Sequence, residues 1–180
     1  QRCTALKLIF VQKDVAEEFT QKLTAAVAGM KPGLPWEKDV KITPLPEVNK
    51  PPYLKECLED AQAKGAKVLN ENGGFTEESF FFPAVVYPVN SEMKLYHEEQ
   101  FGPVIPVVPF ENIEEPIEYQ VNADHGMQVS IFSEDPMEVS KLIDPFVNLV
   151  SRVNINCQAQ RGPDVFPFTG RKDSAEGTLS

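Results

Sequence analysis

Three segments of the sequence hold side chains that could do chemistry, and the first surrounds a cysteine. Cys3 lies between Arg2 and Thr4, directly before an apolar run at residues 6–11. A thiolate attacks only where it is accessible, and a neighbouring positive charge favours the ionised form, so this arrangement could supply a nucleophile. A structural thiol is the alternative. Free cysteines are usually buried, and composition alone favours the structural thiol by roughly two to one.

The second segment, residues 97–103, combines two carboxylates with an aromatic ring. Glu98 and Glu99 precede Phe101, which is followed by a Gly-Pro pair. Adjacent carboxylates of this kind could bind the hydroxyl groups of a ribose or of another sugar. A solvated helix end that leads into a strand is the commoner outcome of the same pattern.

The third segment is a long polar loop that begins at the end of the last predicted strand and continues to residue 174. Loops that follow strands are the usual ligand sites of open α/β sheets. Arg161 in this loop could bind a phosphate with two N–H groups, and an unpaired surface arginine is the alternative. Arg171 and Lys172, beside Asp173, are predicted to form a solvated turn.

The elements that must position these segments alternate along the chain. Apolar runs predict strands at residues 6–11, 66–69, 80–89, 104–110, 129–132 and 149–155. Helical patterns lie between them at residues 14–29, 53–65, 113–121 and 135–143. Because helices of about ten residues separate the strands, the order favours crossover connections in an α/β fold with a mostly parallel twisted sheet.

Capping residues predict where the first and last helices begin. Asp14, with Glu17 placed as in a capping box, is predicted to start the first helix. Asp135 before Pro136 is predicted to start the last one. The first helix is also predicted to bury a stripe that recurs at every fourth residue, namely Val15, Phe19, Leu23 and Val27.

Prolines predict where regular structure is interrupted. Pro83 and Pro88 indicate that residues 80–89 form an edge strand or an irregular one. Residues 30–52 are rich in proline and have no sustained period, which predicts a long surface connection. No G-x-G-x-x-G phosphate loop follows a predicted strand.

Charge and composition exclude several classes of function. The formal net charge of −10 argues against a nucleic-acid partner, because neutralising phosphates needs clustered Lys and Arg. No apolar run approaches the ~20 residues that span a bilayer, so we expect no membrane partner. The three cysteines show no metal-ligand spacing, which predicts no metal site, reduced thiols and a cytoplasmic location. Cys57, on the second helix, is predicted to pack in or beside the core.

Taken in order, the three segments resemble motifs of the aldehyde dehydrogenase superfamily. Residues 1–5 are similar to Gly-Gln-x-Cys around the catalytic cysteine, and residues 98–104 match Glu-Glu-x-Phe-Gly-Pro-Val. Residues 167–174 are close to Pro-Phe-Gly-Gly-x-Lys-x-Ser. The resemblance covers nearly the whole chain and reverses the expectation for Cys3, which it makes the catalytic nucleophile. It implies that Glu99 holds the nicotinamide ribose of the cofactor and that Phe101 packs beside the nicotinamide.

Within that family the chain resembles the non-phosphorylating glyceraldehyde-3-phosphate dehydrogenases. Arg2 directly precedes the nucleophile, and Arg161 precedes the Phe-Pro-Phe run, as the substrate-phosphate arginines of that group do. The resemblance therefore implies that Arg2, Thr4 and Arg161 bind substrate. It implies oxidation of glyceraldehyde 3-phosphate to 3-phosphoglycerate with NADP or NAD, through a thioester on Cys3. Thr169 departs from the family's glycine, which leaves the details of the last loop open.

The resemblance also predicts that only some of the functional groups of the enzyme lie in this chain. In the family the dinucleotide-binding domain, the general base and an asparagine oxyanion donor precede the cysteine motif. We therefore expect residues 1–180 to form the catalytic domain alone, to fold, and neither to retain NADP nor to turn over aldehyde, which an assay of NADP reduction would test. The full-length enzyme is expected to be a homo-oligomer.

Two other functions remain open at this stage. The chain could be the catalytic domain of another aldehyde dehydrogenase subfamily, with a different aldehyde substrate. It could also be a non-catalytic domain of the same fold, because fold does not determine function. A Cys-His hydrolase that uses His97 or His125 is disfavoured, since the family motifs explain both segments better.

Overall fold

A computed structural model describes residues 4–160, 162, 165 and 168–179 of the chain. The backbone contacts divide the chain into two compact units, Ala5–Glu111 and Asn112–Ser180, with Thr4 belonging to the second. The α/β class predicted from the sequence is confirmed, because the largest sheet is mostly parallel and helices connect its strands.

The first unit contains a four-stranded sheet, a small hairpin and three helices. The strands of this unit are β1 (Ile9–Gln12), β2 (Lys67–Val68), β3 (Thr76–Glu77), β4 (Phe80–Phe81), β5 (Ala84–Tyr87) and β6 (Val104–Phe110). The helices are α1 (Lys13–Ala28), α2 (Lys50–Ala63) and α3 (Lys94–His97). In the sheet the order is β1-β6-β5-β2, with β1 and β5 parallel to β6 and β2 antiparallel to β5.

The sheet of the first unit is covered by helices on both faces. Alternate residues of β5 enter different clusters: Ala84 and Val86 pack with residues of α2, and Val85 packs with residues of α1. Successive side chains of a strand point to opposite faces, so an apolar run of this kind requires cover on both sides. The run at residues 80–89 is apolar for that reason.

The run at residues 80–89 is irregular, as predicted, because it is divided at Pro83 into β4 and β5, but the alternative of an edge strand is wrong for β5. This strand lies inside the sheet, between β6 and β2. Pro83 and Pro88 lie immediately before and after the paired residues, so neither ring removes a donor from the ladder of β5.

The predicted start of the first helix is also wrong. Strand β1 continues directly into α1 at Lys13, the N-cap is Gln12, and no side chain caps the helix. Asp14 therefore lies inside the first turn, and the buried stripe is shifted relative to the prediction. Val15 is 51% exposed, whereas Ala16, Thr20 and Val27 are buried. Phe19 and Leu23 pack beside the core as partly buried residues.

The connection between α1 and α2 is shorter than predicted. Helix α2 begins at Lys50 and takes Pro51 and Pro52 into its first turn, where a missing N–H costs no helical hydrogen bond. Residues 30–49 contain an isolated bridge between Pro32 and Ile42.

The second unit is built around a parallel crossover. Its elements are α4 (Glu114–Asn122), β7 (His125–Gly126), β8 (Gln128–Ile131), α5 (Pro136–Val147), β9 (Arg152–Ile155), β10 (Phe168–Thr169), β11 (Arg171–Lys172) and β12 (Thr178–Leu179). Strands β8 and β9 pair in parallel and α5 connects them. Ile131, Val139, Leu142, Phe146 and Val150 form the core of this unit. Two antiparallel pairs, β7 with β11 and β10 with β12, complete the unit.

The predicted cap of α5 is confirmed. The Met137 N–H donates to Asp135 Oδ1 at 2.8 Å, and Pro136 occupies the first turn. The helix continues to Val147, beyond the predicted end near Ile143, with Pro145 inside it. Val139, Leu142 and Phe146 place one face of the helix in the core, and that packing favours the additional turn.

Candidate active site

The predicted site residues divide into those that the structure describes and those that lie outside the described residues. Arg2, Cys3 and Arg161 are in the second group, so their roles stay predictions. Thr4, Glu99 and Phe101 are described: Thr4 is half-buried, Glu99 is exposed and Phe101 is half-buried. Glu99 and Phe101 lie in one loop of the first unit.

This loop, residues 98–103, connects α3 to β6 and is called the acidic loop below. Glu98 caps the C-terminus of α3 in an extended conformation, and its Oε2 accepts a hydrogen bond from the Tyr53 hydroxyl at 2.9 Å. Phe101 has a φ of 42°, a left-handed conformation that non-glycine residues adopt rarely and only where their surroundings hold it. The backbone turn at Phe101 thus separates Glu99 from the start of β6.

The residue between the two predicted cofactor ligands is a buried amide. Gln100 is 0% exposed, although both glutamates before it are exposed. Its Nε2 donates to the carbonyl oxygens of Lys7 at 3.0 Å and Val104 at 3.1 Å, with a longer contact to that of Leu6 at 3.4 Å. The acidic loop is therefore attached through Gln100 to the chain that leads into β1.

Lys7 forms a second attachment between the same segments. Its ammonium donates to the carbonyl oxygen of Leu95, in α3, at 2.6 Å. Burial lowers the pKa of Lys7 to about 8, although the nearby Cys57 thiol and the carboxylates of Glu99 and Glu98 act in the opposite direction. A cationic group thus lies near both carboxylates of the acidic loop.

Cys57 and Tyr53 belong to the same buried region. Cys57 is 1% exposed and packs in the core, which confirms its prediction as a packing residue. Burial raises the pKa of the Cys57 thiol, so this cysteine is a poor thiolate near neutral pH. Burial and the hydrogen bond to Glu98 both raise the pKa of Tyr53.

The loop after β9 is held by side chains of β8 and β9. Arg152 Nη1 donates to the carbonyl oxygens of Gln160 at 2.7 Å and Gly162 at 2.6 Å. Gln128 Oε1 accepts from the Gln160 N–H at 3.2 Å and from Asn154 Nδ2 at 3.1 Å. Residues on both sides of position 161 are therefore attached to the β8–β9 pair.

Sequence reasoning missed the residues that hold these two loops. Lys7 was read as part of an apolar strand, yet a lysine inside an otherwise apolar run was the available signal that its ammonium needs a buried partner. Gln100 carried no separate signal, because a glutamine beside two glutamates looks like part of a solvated turn. Arg152 lies within the predicted strand at 149–155, and nothing in the sequence shows which carbonyls it binds.

Neither a metal-binding cluster nor a membrane-spanning helix occurs in the described part of the chain. There, no group of three or more His, Cys, Asp or Glu side chains is arranged to hold a metal ion. None of the helices described is both long enough and apolar enough to cross a membrane.

Both the sequence and the fold are similar to those of known proteins. The chain matches the model of the aldehyde dehydrogenase family over residues 1–180. It is 36% identical over 178 residues to the NADP-dependent glyceraldehyde-3-phosphate dehydrogenase of Streptococcus equinus. The match covers 98% of this chain and 36% of that protein.

Solved structures with the same fold include two enzymes with different names. One is the NADP-dependent glyceraldehyde-3-phosphate dehydrogenase of Bacillus halodurans complexed with NADP, with a TM-score of 0.90 and 33% identity, covering 98% of this chain. The other is the succinate-semialdehyde dehydrogenase of Burkholderia pseudomallei, with a TM-score of 0.90 and 29% identity, covering 99% of this chain. This chain spans 36% of the length of each.

Proposed function

Because the chain belongs to the aldehyde dehydrogenase family, we propose that it is the nucleophile-bearing domain of an enzyme that oxidises glyceraldehyde 3-phosphate to 3-phosphoglycerate with NADP. The observation that carries the proposal is the 36% identity, over 98% of this chain, to a relative of that name. The arginines at positions 2 and 161 support the choice of a phosphorylated substrate, since guanidinium groups bind phosphate with paired N–H donors.

Cys3 would act as the covalent catalyst. Its thiolate adds to the carbonyl carbon of the aldehyde and forms a thiohemiacetal, whose oxyanion the backbone N–H of Cys3 would help to hold. Loss of hydride from that carbon leaves a thioester. Water then adds to the thioester carbon, the C–S bond breaks, and the products are the carboxylic acid and the regenerated thiol.

Glu99 and Phe101 would hold the nicotinamide end of the cofactor. An exposed carboxylate can accept hydrogen bonds from the two hydroxyl groups of a ribose, and a half-buried ring offers a surface for a planar base. When bound, NADP supplies the hydride acceptor. The residues present in the acidic loop therefore fit this end of a dinucleotide.

The other functional groups of the enzyme are proposed to lie outside these 180 residues. The chain spans 36% of the Streptococcus equinus relative, and we propose that the dinucleotide-binding domain, the general base and the second oxyanion donor belong to the remainder. On this proposal residues 1–180 alone hold no NADP and turn over no aldehyde. The full-length enzyme is proposed to be a cytoplasmic homo-oligomer.

The substrate assignment is tested by replacing Arg161 with leucine in the full-length protein. Loss of a charged hydrogen-bonding group should raise KM for glyceraldehyde 3-phosphate by about tenfold or more, while KM for unphosphorylated glyceraldehyde stays within about twofold. Arg171→Leu is the matched control, because Arg171 is an exposed arginine of the same loop region. An equal rise for both aldehydes in Arg161→Leu contradicts the assignment.

A carboxylated aldehyde is the second candidate substrate. It is favoured by the similarity to the structure named succinate-semialdehyde dehydrogenase, and an arginine binds a carboxylate in the same two-donor geometry as a phosphate. Comparing kcat/KM for glyceraldehyde 3-phosphate and succinate semialdehyde decides between them. A higher value for the carboxylated aldehyde supports the second candidate.

A further inference from the structure

Gln100 is a buried polar residue between the two proposed cofactor ligands. The proposed roles of those ligands do not explain why Gln100 is buried. It is 0% exposed, between an exposed glutamate and the half-buried Phe101. An amide placed in a protein interior loses its bonds to water, so it is retained where it replaces them with internal partners. The positions of those partners in the fold indicate what the side chain does.

The partners of Gln100 lie at the starts of two adjacent strands. Its Nε2 donates to Lys7, just before β1, and to Val104, the first residue of β6. Strands β1 and β6 are parallel neighbours, with Ile9 opposite Val107. Gln100 Oε1 has no hydrogen-bond partner among the described residues, so the side chain is held through the contacts of its Nε2 with carbonyl oxygens.

A reciprocal contact strengthens this attachment. Lys7 donates its ammonium hydrogen to Leu95 O, while Gln100 donates to Lys7 O. The segment that contains α3 and the acidic loop is therefore joined to Lys7 in both directions. A single broken bond leaves the other in place, so the pair limits how far the loop can shift along β1.

The acidic loop also depends on external support for its backbone. Phe101 adopts a φ of 42°, a left-handed conformation that strains a residue with a Cβ and persists only where the surrounding structure holds it. Gly102 follows, where an added Cβ would lie 2.7 Å from Leu54 Cδ1, so the backbone is packed closely against α2. The packing of Gly102 against α2 supports the turn after Phe101. The hydrogen bonds of Gln100 support the turn before Phe101.

We propose that Gln100 is a positioning residue, which fixes Glu99 and Phe101 to the start of β1 so that their side chains are already placed for the nicotinamide ribose. The inference rests on the proposed function of those two residues as cofactor ligands. Gln100 touches no cofactor on this proposal and acts only through its neighbours. Removing its donors lowers cofactor affinity because the loop must then be ordered upon binding.

The first test uses the full-length protein in the absence of NADP. Gln100→Met preserves the length of the side chain and removes both donors. Amide hydrogen exchange at residues 98–102 should become faster by about tenfold, because the loop then opens without breaking these bonds. Asn70→Leu is the matched control, since Asn70 is also a buried amide, bound to Pro83 O and the Val85 N–H at 2.8 Å each. Exchange in the acidic loop that is unchanged in Gln100→Met, or equally faster in Asn70→Leu, overturns the proposal.

The second test measures NADP dissociation constants in the full-length protein by fluorescence titration. Gln100→Met is expected to raise the dissociation constant by about tenfold, and Asn70→Leu to leave it within about twofold. If Gln100→Met does not yield folded protein, Gln100→Asn replaces it, because its shorter amide cannot reach both carbonyls. Unchanged affinity in the glutamine variant overturns the positioning role.

Glu99→Gln separates the ribose assignment of Glu99 from the positioning role of Gln100. If Glu99→Gln weakens NADP binding and Gln100→Met does not, the positioning role fails and the ribose assignment stands. If Glu99→Gln leaves NADP affinity unchanged, the ribose assignment fails and the positioning role fails with it. Weaker binding in both variants, with normal binding in Asn70→Leu, supports both.

Discussion

Lys7 is a described residue whose pKa folding lowers from 10.5 to about 8. It lies within an apolar run, is half-buried, and has an ammonium that donates to the carbonyl oxygen of Leu95. Burial disfavours its charged form, whereas the nearby carboxylates of Glu98 and Glu99 favour it. The pKa of Lys7 therefore depends on the burial and the charges beside the acidic loop.

We predict that Lys7 makes the free energy of unfolding of the chain increase with pH in alkaline solution. The pKa of Lys7 is about 8 in the folded state against an ordinary value of 10.5, so the unfolded chain binds more protons between those two values. The free energy of unfolding therefore increases with pH across that window, and below about pH 8 the full burial penalty remains. Urea unfolding should show the wild type gaining about 1–2 kcal/mol over Lys7→Met between about pH 7.5 and pH 9.5.

The comparison with Lys7→Met isolates the lysine. Cys57 and Tyr53 also have shifted pKa values in the alkaline range, but both proteins contain them, so their contribution largely cancels in the difference. A difference that is flat or decreases with pH would show that the Lys7 ammonium is well solvated in the folded chain.

At the scale of elements, the crossover β8-α5-β9 shows how local and tertiary signals agree. Asp135 caps α5, Pro136 opens its first turn, and the apolar face of the helix packs in the core of the second unit. The parallel pair β8 and β9 then requires a connection of this length.

We predict that Asp135→Ala destabilises this element by about 1 kcal/mol, because the Met137 N–H loses its acceptor. Thermal unfolding should show a fall of about 2–4 °C for a chain of this length. Glu134→Ala is the control, an exposed acidic residue outside the cap position, and should change the melting temperature by less than about 1 °C. Equal effects of the two variants would mean that net charge, and not the cap, determines the change.

Elements with strong local signals were predictable from the sequence. The cap at Asp135, the start of α5 and the helix α4 were placed correctly, because the residues that specify them are adjacent in the chain. The start of α1 was placed wrongly because Asp14 matches a capping pattern, whereas the direct continuation of β1 into the helix leaves no cap position there. The position of β5 inside the sheet depends on partners far away in the sequence.

The candidate site was predictable only in part for a similar reason. Glu99 and Phe101 were predicted as cofactor ligands from a contiguous motif, which a sequence displays directly, and their roles stay predictions. Gln100 and Lys7 hold that motif through contacts between residues 6–7 and 95–104, and a linear pattern cannot show such a pairing. Burial reversed the expectation for Gln100, because its polarity suggested solvent and its two carbonyl partners lie inside.

At the scale of the whole molecule, the chain provides two compact units and 36% of the length of its relatives. The first unit carries the acidic loop, and the second carries the loop that contains position 161. Each unit has its own core, made of the clusters around β5 in the first and around α5 in the second. We expect these cores to let the chain fold without the proposed dinucleotide-binding part.

The reactivity of Cys3 tests the central claim most directly, and the chain contains its own internal standards. Cys157 is exposed and Cys57 is buried. Iodoacetamide alkylation of the full-length protein near pH 7, followed by peptide mass spectrometry, yields a rate for each thiol. We predict that Cys3 reacts about tenfold faster than Cys157, because Arg2 favours its thiolate, and that Cys57 reacts slowest. Alkylation of Cys3 no faster than that of Cys157 would contradict its role as the catalytic nucleophile.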